Sequence, residues 1–168
     1  MRSWAVFEGS IRQAVHSLKY RRNVALGDAL APNLANFVRK LDWPVDLVVP
    51  VPLGRQRIKE RGYNQVGFLA HPMSGLQNWN YSPRLLSRVR ETRSQVGLST
   101  MERKANMAGA FKADPFLTSG KVVLVMDDVA TTGATLAACS EALLEAGVKK
   151  VYALTLARAL PQHGLQIV

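Results

Sequence analysis

At 168 residues, 48% of them apolar, the chain is long enough to bury one substantial core, and nothing in its composition suggests a second domain. It carries 22 Lys and Arg against 12 Asp and Glu, a formal net charge of +10 that points to a polyanionic partner or substrate. A single cysteine, Cys139, excludes an internal disulfide; no apolar run approaches the roughly 18 residues of a membrane span, and residues 1–8 lack the apolar centre of a secretion signal, so a cytoplasmic location is expected.

Taken in order, residues 1–43 read as a helical segment. Ser10-Ile11-Arg12-Gln13 has the form of a capping box, after which Ile11, Val15 and Leu18 share a face until Lys19-Tyr20-Arg21-Arg22. A second helix is expected over 28–40, with Leu30, Leu34, Phe37 and Val38 at helical spacing and Pro32 tolerated for its closeness to the start. Both helices read as packing elements, with Lys19, Arg21 and Arg22 as candidate additions to a phosphate or nucleic-acid surface.

Asp46-Leu47-Val48-Val49 reads as a core strand. Pro50-Val51-Pro52 turns the chain out of the sheet, because a proline cannot donate to a central ladder. A basic loop follows, Arg55-Gln56-Arg57-Ile58-Lys59-Glu60-Arg61, with four cations in seven residues, and it enters a helix that turns Val66, Leu69 and Ala70 inward and ends at His71-Pro72-Met73-Ser74-Gly75. Residues 77–82 read as a polar loop, 85–89 as a short strand, and 91–107 as a polar, basic, weakly patterned stretch that buries too little to be well ordered alone. His16, His71 and His163 lie far apart without Cys or acid partners at ligand spacing, which argues against a side-chain metal site. Between Val49 and Lys112 stand eleven basic residues against three acids, so this middle segment holds most of the charge imbalance.

The richest stretch comes next. Val122-Val123-Leu124-Val125-Met126 reads as a strand buried on both faces of a parallel sheet, ended by Asp127 and Asp128. Ala130-Thr131-Thr132-Gly133-Ala134-Thr135 then leads into a helix with Leu136, Cys139 and Leu143 on one face, stopping at Gly147, and Val151 to Leu156 forms a last strand. The first N–H groups of that helix, its dipole, a permissive glycine and three threonine hydroxyls suit a phosphate. The adjacent carboxylates would repel that phosphate but suit vicinal hydroxyls, so the pair suggests a ribose 5-phosphate with its diol held by the acids. The alternative is that Asp127 caps the loop and Asp128 is solvated.

The run Leu124-Val125-Met126-Asp127-Asp128-Val129-Ala130-Thr131-Thr132-Gly133-Ala134-Thr135 resembles the phosphoribosyl pyrophosphate (PRPP) motif of the type I phosphoribosyltransferases. Val49-Pro50-Val51-Pro52-Leu53, Arg61-Gly62-Tyr63-Asn64-Gln65, Arg93-Ser94-Gln95 and Glu102-Arg103-Lys104-Ala105-Asn106 resemble the ComF/GntX competence family within that superfamily. The similarity runs from about Val6 to Arg158. It implies one α/β domain over 1–168 with a mostly parallel central sheet flanked by helices; the order of elements separately implies parallel strands with right-handed crossovers.

By resemblance, Asp127 and Asp128 hold the diol and favour a cationic transition state, residues 130–135 anchor the 5-phosphate, and Arg55 and Arg61 contact pyrophosphate. Residues 91–107 resemble the mobile loop that closes over PRPP, with Gln95, Arg103, Lys104 and Asn106 at its marked positions. Mg²⁺ would be held mainly through PRPP, with no ligand from side chains, and the reaction would transfer phosphoribosyl to an acceptor the residues do not identify. Membership of the family also brings an association with DNA uptake in natural competence. The rival expectation is a non-catalytic single-stranded-DNA-binding competence factor using the basic segment 55–112, with Tyr63, Trp79 and Tyr81 stacking on bases. Other competence proteins are further candidate partners, and oligomerisation is left open. Many ComF proteins begin with a cysteine-rich zinc element, which a chain with one cysteine cannot form.

Overall fold

A computed structural model describes residues 1–92 and 99–160. In chain order the elements are β1 (Arg2–Val6), α1 (Gly9–Tyr20), α2 (Val24–Arg39), β2 (Leu47–Pro50), α3 (Arg55–Arg61), α4 (Gly67–Leu76) and β3 (Asn80–Tyr81). They continue as β4 (Leu86–Arg88), α5 (Thr100–Met107), β5 (Phe111–Ala113), α6 (Pro115–Thr118), β6 (Val122–Ala130), α7 (Ala134–Glu145) and β7 (Lys150–Arg158). Five strands form one sheet in the order β1-β7-β6-β2-β3, every neighbouring pair parallel, and β4 and β5 form a separate antiparallel pair.

The sheet is covered on both faces, as a parallel sheet must be. Alternation along β6 divides the core: Leu124 and Met126 face a layer of α1, α2 and α4, whereas Val123 and Val125 face α7, α5 and the β4–β5 pair. This is the type I phosphoribosyltransferase architecture that the sequence leads one to expect, and the buried apolar run at Val122 to Met126 is its central strand.

Several elements depart from expectation. Residues 1–43 are not wholly helical, because Arg2–Val6 pairs with β7; a short strand with no alternation of its own is visible only through its partner. The capping box at Ser10 to Gln13 does not form: α1 begins at Gly9 behind an N-cap at Glu8, so Ser10 already lies in the first turn. Asn23 accepts a hydrogen bond from the Leu26 N–H at 3.0 Å and starts α2 at Val24, which leaves Pro32 in the helix interior rather than near its start. Packing of Ala31, Leu34, Ala35 and Val38 holds the helix through the missing bond.

The basic stretch 55–61 is a helix, opened by Gly54 and closed by Gly62 in the left-handed region (φ 76°). Helix α4 continues past Pro72 to Leu76, and the polar loop at 77–82 contains β3, added to the edge of β2. Within 91–107, residues 100–107 form α5, whereas 93–98 lie outside the described residues.

The connections fix where a ligand can sit. The chain leaving β2 runs into α4 on one face of the sheet, and the chain leaving β6 runs into α7 on the other. The connections leaving these adjacent parallel strands therefore part to opposite faces at the strands' carboxyl ends, the arrangement of a topological switch point, where a crevice is expected. The stretch carrying Arg55 and Arg61, expected at pyrophosphate, follows β2, and residues 130–135, expected at the 5-phosphate, follow Asp127 and Asp128 at the end of β6.

Candidate functional site

Both acids belong to β6 itself, where Asp127 is in register with Thr155 of β7. Their environments differ. Asp128 is 4% exposed; its Oδ2 accepts from Gln65 Nε2 at 2.6 Å and pairs with Lys19 Nζ at 3.4 Å, while its Oδ1 accepts from the Val129 N–H at 2.7 Å. Asp127 is half-buried, and its Oδ1 accepts from the Asp128 N–H at 2.8 Å. Loss of water and then the neighbouring Asp128 carboxylate push Asp127 up to about 7, opposed by the bond from the Asp128 N–H and, more weakly, by Lys19 and Arg57. One carboxylate is therefore fixed within a polar network, and the other stands near its titration point at neutral pH.

Beyond the acids, Ala130 is buried and Gly133, at φ 83°, forms the N-cap of α7 in a conformation that suits glycine. No side chain caps that helix; the nearest local bond is a long one, from the Ala134 N–H to Thr132 Oγ1 at 3.4 Å. Thr131 Oγ1 accepts from Arg103 Nη1 at 2.8 Å. An arginine of the expected covering segment thus touches the expected phosphate loop, and Thr131, Thr132, Gly133, Ala134 and Thr135 line the turn beside it.

Helix α5 owes its start to a capping box. The Ser99 N–H donates to Glu102 Oε2 at 2.7 Å, the Glu102 N–H donates to Ser99 Oγ at 3.3 Å, and these bonds hold the Glu102 carboxyl below its ordinary range. Ser99-Thr100-Met101-Glu102 carries the signal for that box, which the search for apolar period passed over. Arg90 Nη2 donates to the carbonyls of Asn106 and Ala108, tying the far end of α5 to the chain after β4. Lys104 lies on the same helix, and Gln95, like Arg93, lies outside the described residues.

The two arginines expected at pyrophosphate are placed differently. Arg55 has an exposed side chain at the start of α3, and its N–H donates to Glu91 Oε1 at 2.6 Å. A Cβ on Gly54 would meet Glu91 Oε2 at 2.5 Å, so this carboxylate fits against the turn only because residue 54 is glycine. Arg61 instead donates to Gln65 Oε1 at 2.6 Å and lies over the Tyr20 ring at 5.4 Å. Arg57, unassigned in the sequence reading beyond its charge, acts electrostatically on both Asp127 and Arg88.

The Arg61-Gly62-Tyr63-Asn64-Gln65 motif ties the site together. Tyr63 Oη shares its one proton between the carbonyls of Leu18 and Lys19 at the end of α1, each 3.0 Å away, and accepts from the Arg22 N–H. Asn64 Nδ2 donates to the Val51 carbonyl at 2.9 Å, and Gln65, 3% exposed, reaches Asp128. Gln65 is a site residue that sequence reasoning left without a role, and Lys19, expected only as an addition to a phosphate or nucleic-acid surface, pairs with Asp128. Helical spacing placed Lys19 on a packing helix, and only the fold brings it to β6.

The rings expected to stack on bases are committed elsewhere. Tyr63 stacks on Phe68 at 5.0 Å, Tyr81 meets His71 edge-on at 5.1 Å, and Trp79 and Tyr81 pack against the α1–α2–α4 core. Burial raises the Tyr81 hydroxyl above its ordinary range. Among the described residues no group of three or more His, Cys, Asp or Glu could hold a metal ion, and no helix is long and apolar enough to cross a membrane.

Comparison with known proteins gives a consistent picture. The phosphoribosyl transferase domain family matches residues 24–164. The DNA utilization protein YhgH of Salmonella typhi is 34% identical over 151 residues, covering 87% of this chain and 66% of that protein. Competence protein F of Haemophilus influenzae is 36% identical over 139 residues, covering 77% of this chain and 57% of that protein. The chain thus spans less than two thirds of the length of these relatives. Among solved structures, the glutamine PRPP amidotransferase of B. subtilis, complexed with ADP and GMP, superposes with a TM-score of 0.51 at 21% identity, covering 84% of this chain and 26% of that one.

Proposed function

This chain belongs to the phosphoribosyl transferase domain family, in its ComF-like branch, and on that premise we propose that it binds PRPP in the crevice between β2 and β6 and transfers the phosphoribosyl group to an acceptor. The observation that carries this reading is the juxtaposition of Asp127 and Asp128 with a glycine-capped helix start whose Thr131 is touched by Arg103. The 5-phosphate lies on the N–H groups and hydroxyls of residues 131–135, where the α7 dipole favours negative charge.

The ribose hydroxyls donate to the acids. Ionised Asp127 and Asp128 also lie where positive charge would develop on the ring as pyrophosphate departs, and a preorganised charge aimed at that ring is the main catalytic resource this site supplies. Arg55, Arg57 and Arg103 offer positive charge to the pyrophosphate and steady its departure. Among the described residues no group of three or more His, Cys, Asp or Glu could hold an ion; Mg²⁺ held mainly through PRPP would supply screening of the pyrophosphate charge beside Arg55, Arg57 and Arg103.

Thermal denaturation with added ligand tests this. PRPP with Mg²⁺ should raise Tm in proportion to the logarithm of its concentration, and ribose 5-phosphate should raise it less. An unchanged Tm at millimolar PRPP would contradict the proposal. The relatives named for DNA utilization and competence support a role in those processes; a cytoplasmic location, with single-stranded DNA or other competence proteins as partners, is part of the same proposal. The middle segment's excess of cations favours a nucleic-acid backbone, whereas the packing of Tyr63, Trp79 and Tyr81 works against base stacking by these rings.

A further inference from the structure

The contacts around Asp128 close on themselves. Lys19 pairs with Asp128, Asp128 accepts from Gln65, Gln65 accepts from Arg61, Arg61 covers Tyr20, and Tyr20 follows Lys19 in α1. The circuit joins α1, α3 and β6, and Tyr63 pins its α1 side by bonding to the Leu18 and Lys19 carbonyls. From this arrangement we propose that Lys19 is a positioning residue of the PRPP site, holding Asp128 as a fixed carboxylate so that the ribose diol is met by one rigid acceptor and one adjustable one, Asp127. The proposal rests on the PRPP reading above.

Three features of the geometry support it. A carboxyl group that is 4% exposed needs a counter-charge or hydrogen-bond donors, and Asp128 has both in Lys19 and Gln65. The Lys19 side chain keeps 27% exposure, so its stem packs against the protein while the ammonium reaches the buried acid without losing all contact with solvent. Asp127 has no such direct partner in the circuit. It is faced by Asp128 on its own strand, Lys19 from α1, Arg57 from α3 and the Cys139 thiol from α7, and the two cations reach it only through space. Lys19 therefore acts on the diol through Asp128 and on the charge of Asp127 across the dyad.

The test compares wild type, Lys19→Met, Lys19→Arg and Asp127→Asn/Asp128→Asn by calorimetric titration with PRPP and Mg²⁺, together with carboxyl ¹³C NMR titration of Asp127 in the ligand-free proteins. Methionine keeps the apolar stem, and α1 stays anchored by Val15, Leu18 and Tyr63, so Lys19→Met should fold. The expected results are a roughly tenfold weaker Kd for Lys19→Met, recovery to within about threefold in Lys19→Arg, and a higher Asp127 midpoint in Lys19→Met than in wild type.

Wild-type binding that the double Asp variant loses, with the affinity and the Asp127 midpoint of Lys19→Met both unchanged, would overturn the role of Lys19 and leave the PRPP reading standing. An absence of wild-type binding would overturn the PRPP reading, and with it a positioning role toward the diol. The NMR titration would still show in that case whether Lys19 sets the charge of the dyad.

Discussion

The two neighbouring aspartates make opposite use of burial. Asp128 is deeply buried yet supplied with a cation and an amide donor, whereas half-buried Asp127 is pushed from 3.8 to about 7. For an acid whose folded value lies above its unfolded one, ionisation opposes folding. Stability should therefore fall as pH rises from about 4 to about 7 and level off above. Asp127→Asn should remove that fall and be more stable than wild type at pH 8 by roughly 1–2 kcal/mol in denaturant titrations, the partial exposure of the group keeping the effect modest. A diol donates to an ionised carboxylate, so PRPP affinity in the wild type should strengthen as pH rises through 7.

The same residues show how far a sequence can be read. Asp127, Asp128 and the Thr131–Thr135 turn were legible because they are contiguous and carry their chemistry in their residue types. The inequality of the acids was not, because Gln65 lies 63 residues from Asp128 and Lys19 lies still farther away on a helix whose visible pattern is apolar. Gly133, by contrast, was readable for a local reason. At φ 83° an added Cβ is strained, and Gly133→Ala should cost about 1 kcal/mol of stability and weaken phosphate binding, measured by denaturation and by titration with ribose 5-phosphate.

Among elements, the long apolar ones were the most predictable. β6, β7 and α7 follow from runs of buried residues, and their order implied the parallel sheet. The short ones were not: β1 and β3 exist by virtue of β7 and β2, and α3 was hidden because all seven of its residues carry polar or partly exposed side chains. Helix α5 was written in its capping box rather than in a period. Removing that box with Ser99→Ala should cost about 1 kcal/mol locally, seen as faster amide exchange across residues 102–107, with global unfolding little changed.

The α2–α4 crossing supplies the contrasting case of an element contact that sets global stability. At Gly27 an added Cβ would stand 2.3 Å from the Phe68 carbonyl oxygen, a backbone atom that cannot move without displacing α4. Gly27→Ala should therefore destabilise the protein by about 1–3 kcal/mol in denaturant melts. Because α4 follows the Asn64 and Gln65 turn, the same variant should also loosen the support of Asp128 and weaken ligand binding.

At the scale of the whole molecule, a chain with net charge +10 builds a three-layer fold whose switch-point crevice gathers cations from α1, α3 and α5 around a pair of acids. Such a surface attracts any polyanion. Binding to single-stranded DNA, if it accompanies the PRPP site, should therefore be electrostatic in origin: affinity should drop at least about tenfold between 50 and 200 mM salt. Trp79→Ala should lower stability rather than selectively weaken DNA affinity, because that ring packs on the core.

Binding of PRPP between β2 and β6 through the paired acids is what the proposed function requires. It is tested most directly by calorimetric titration of PRPP with Mg²⁺ into the wild type and into Asp127→Asn/Asp128→Asn. Saturable binding by the wild type, lost in a variant that remains folded, is the predicted result; equal binding by both, or binding by neither, would contradict it.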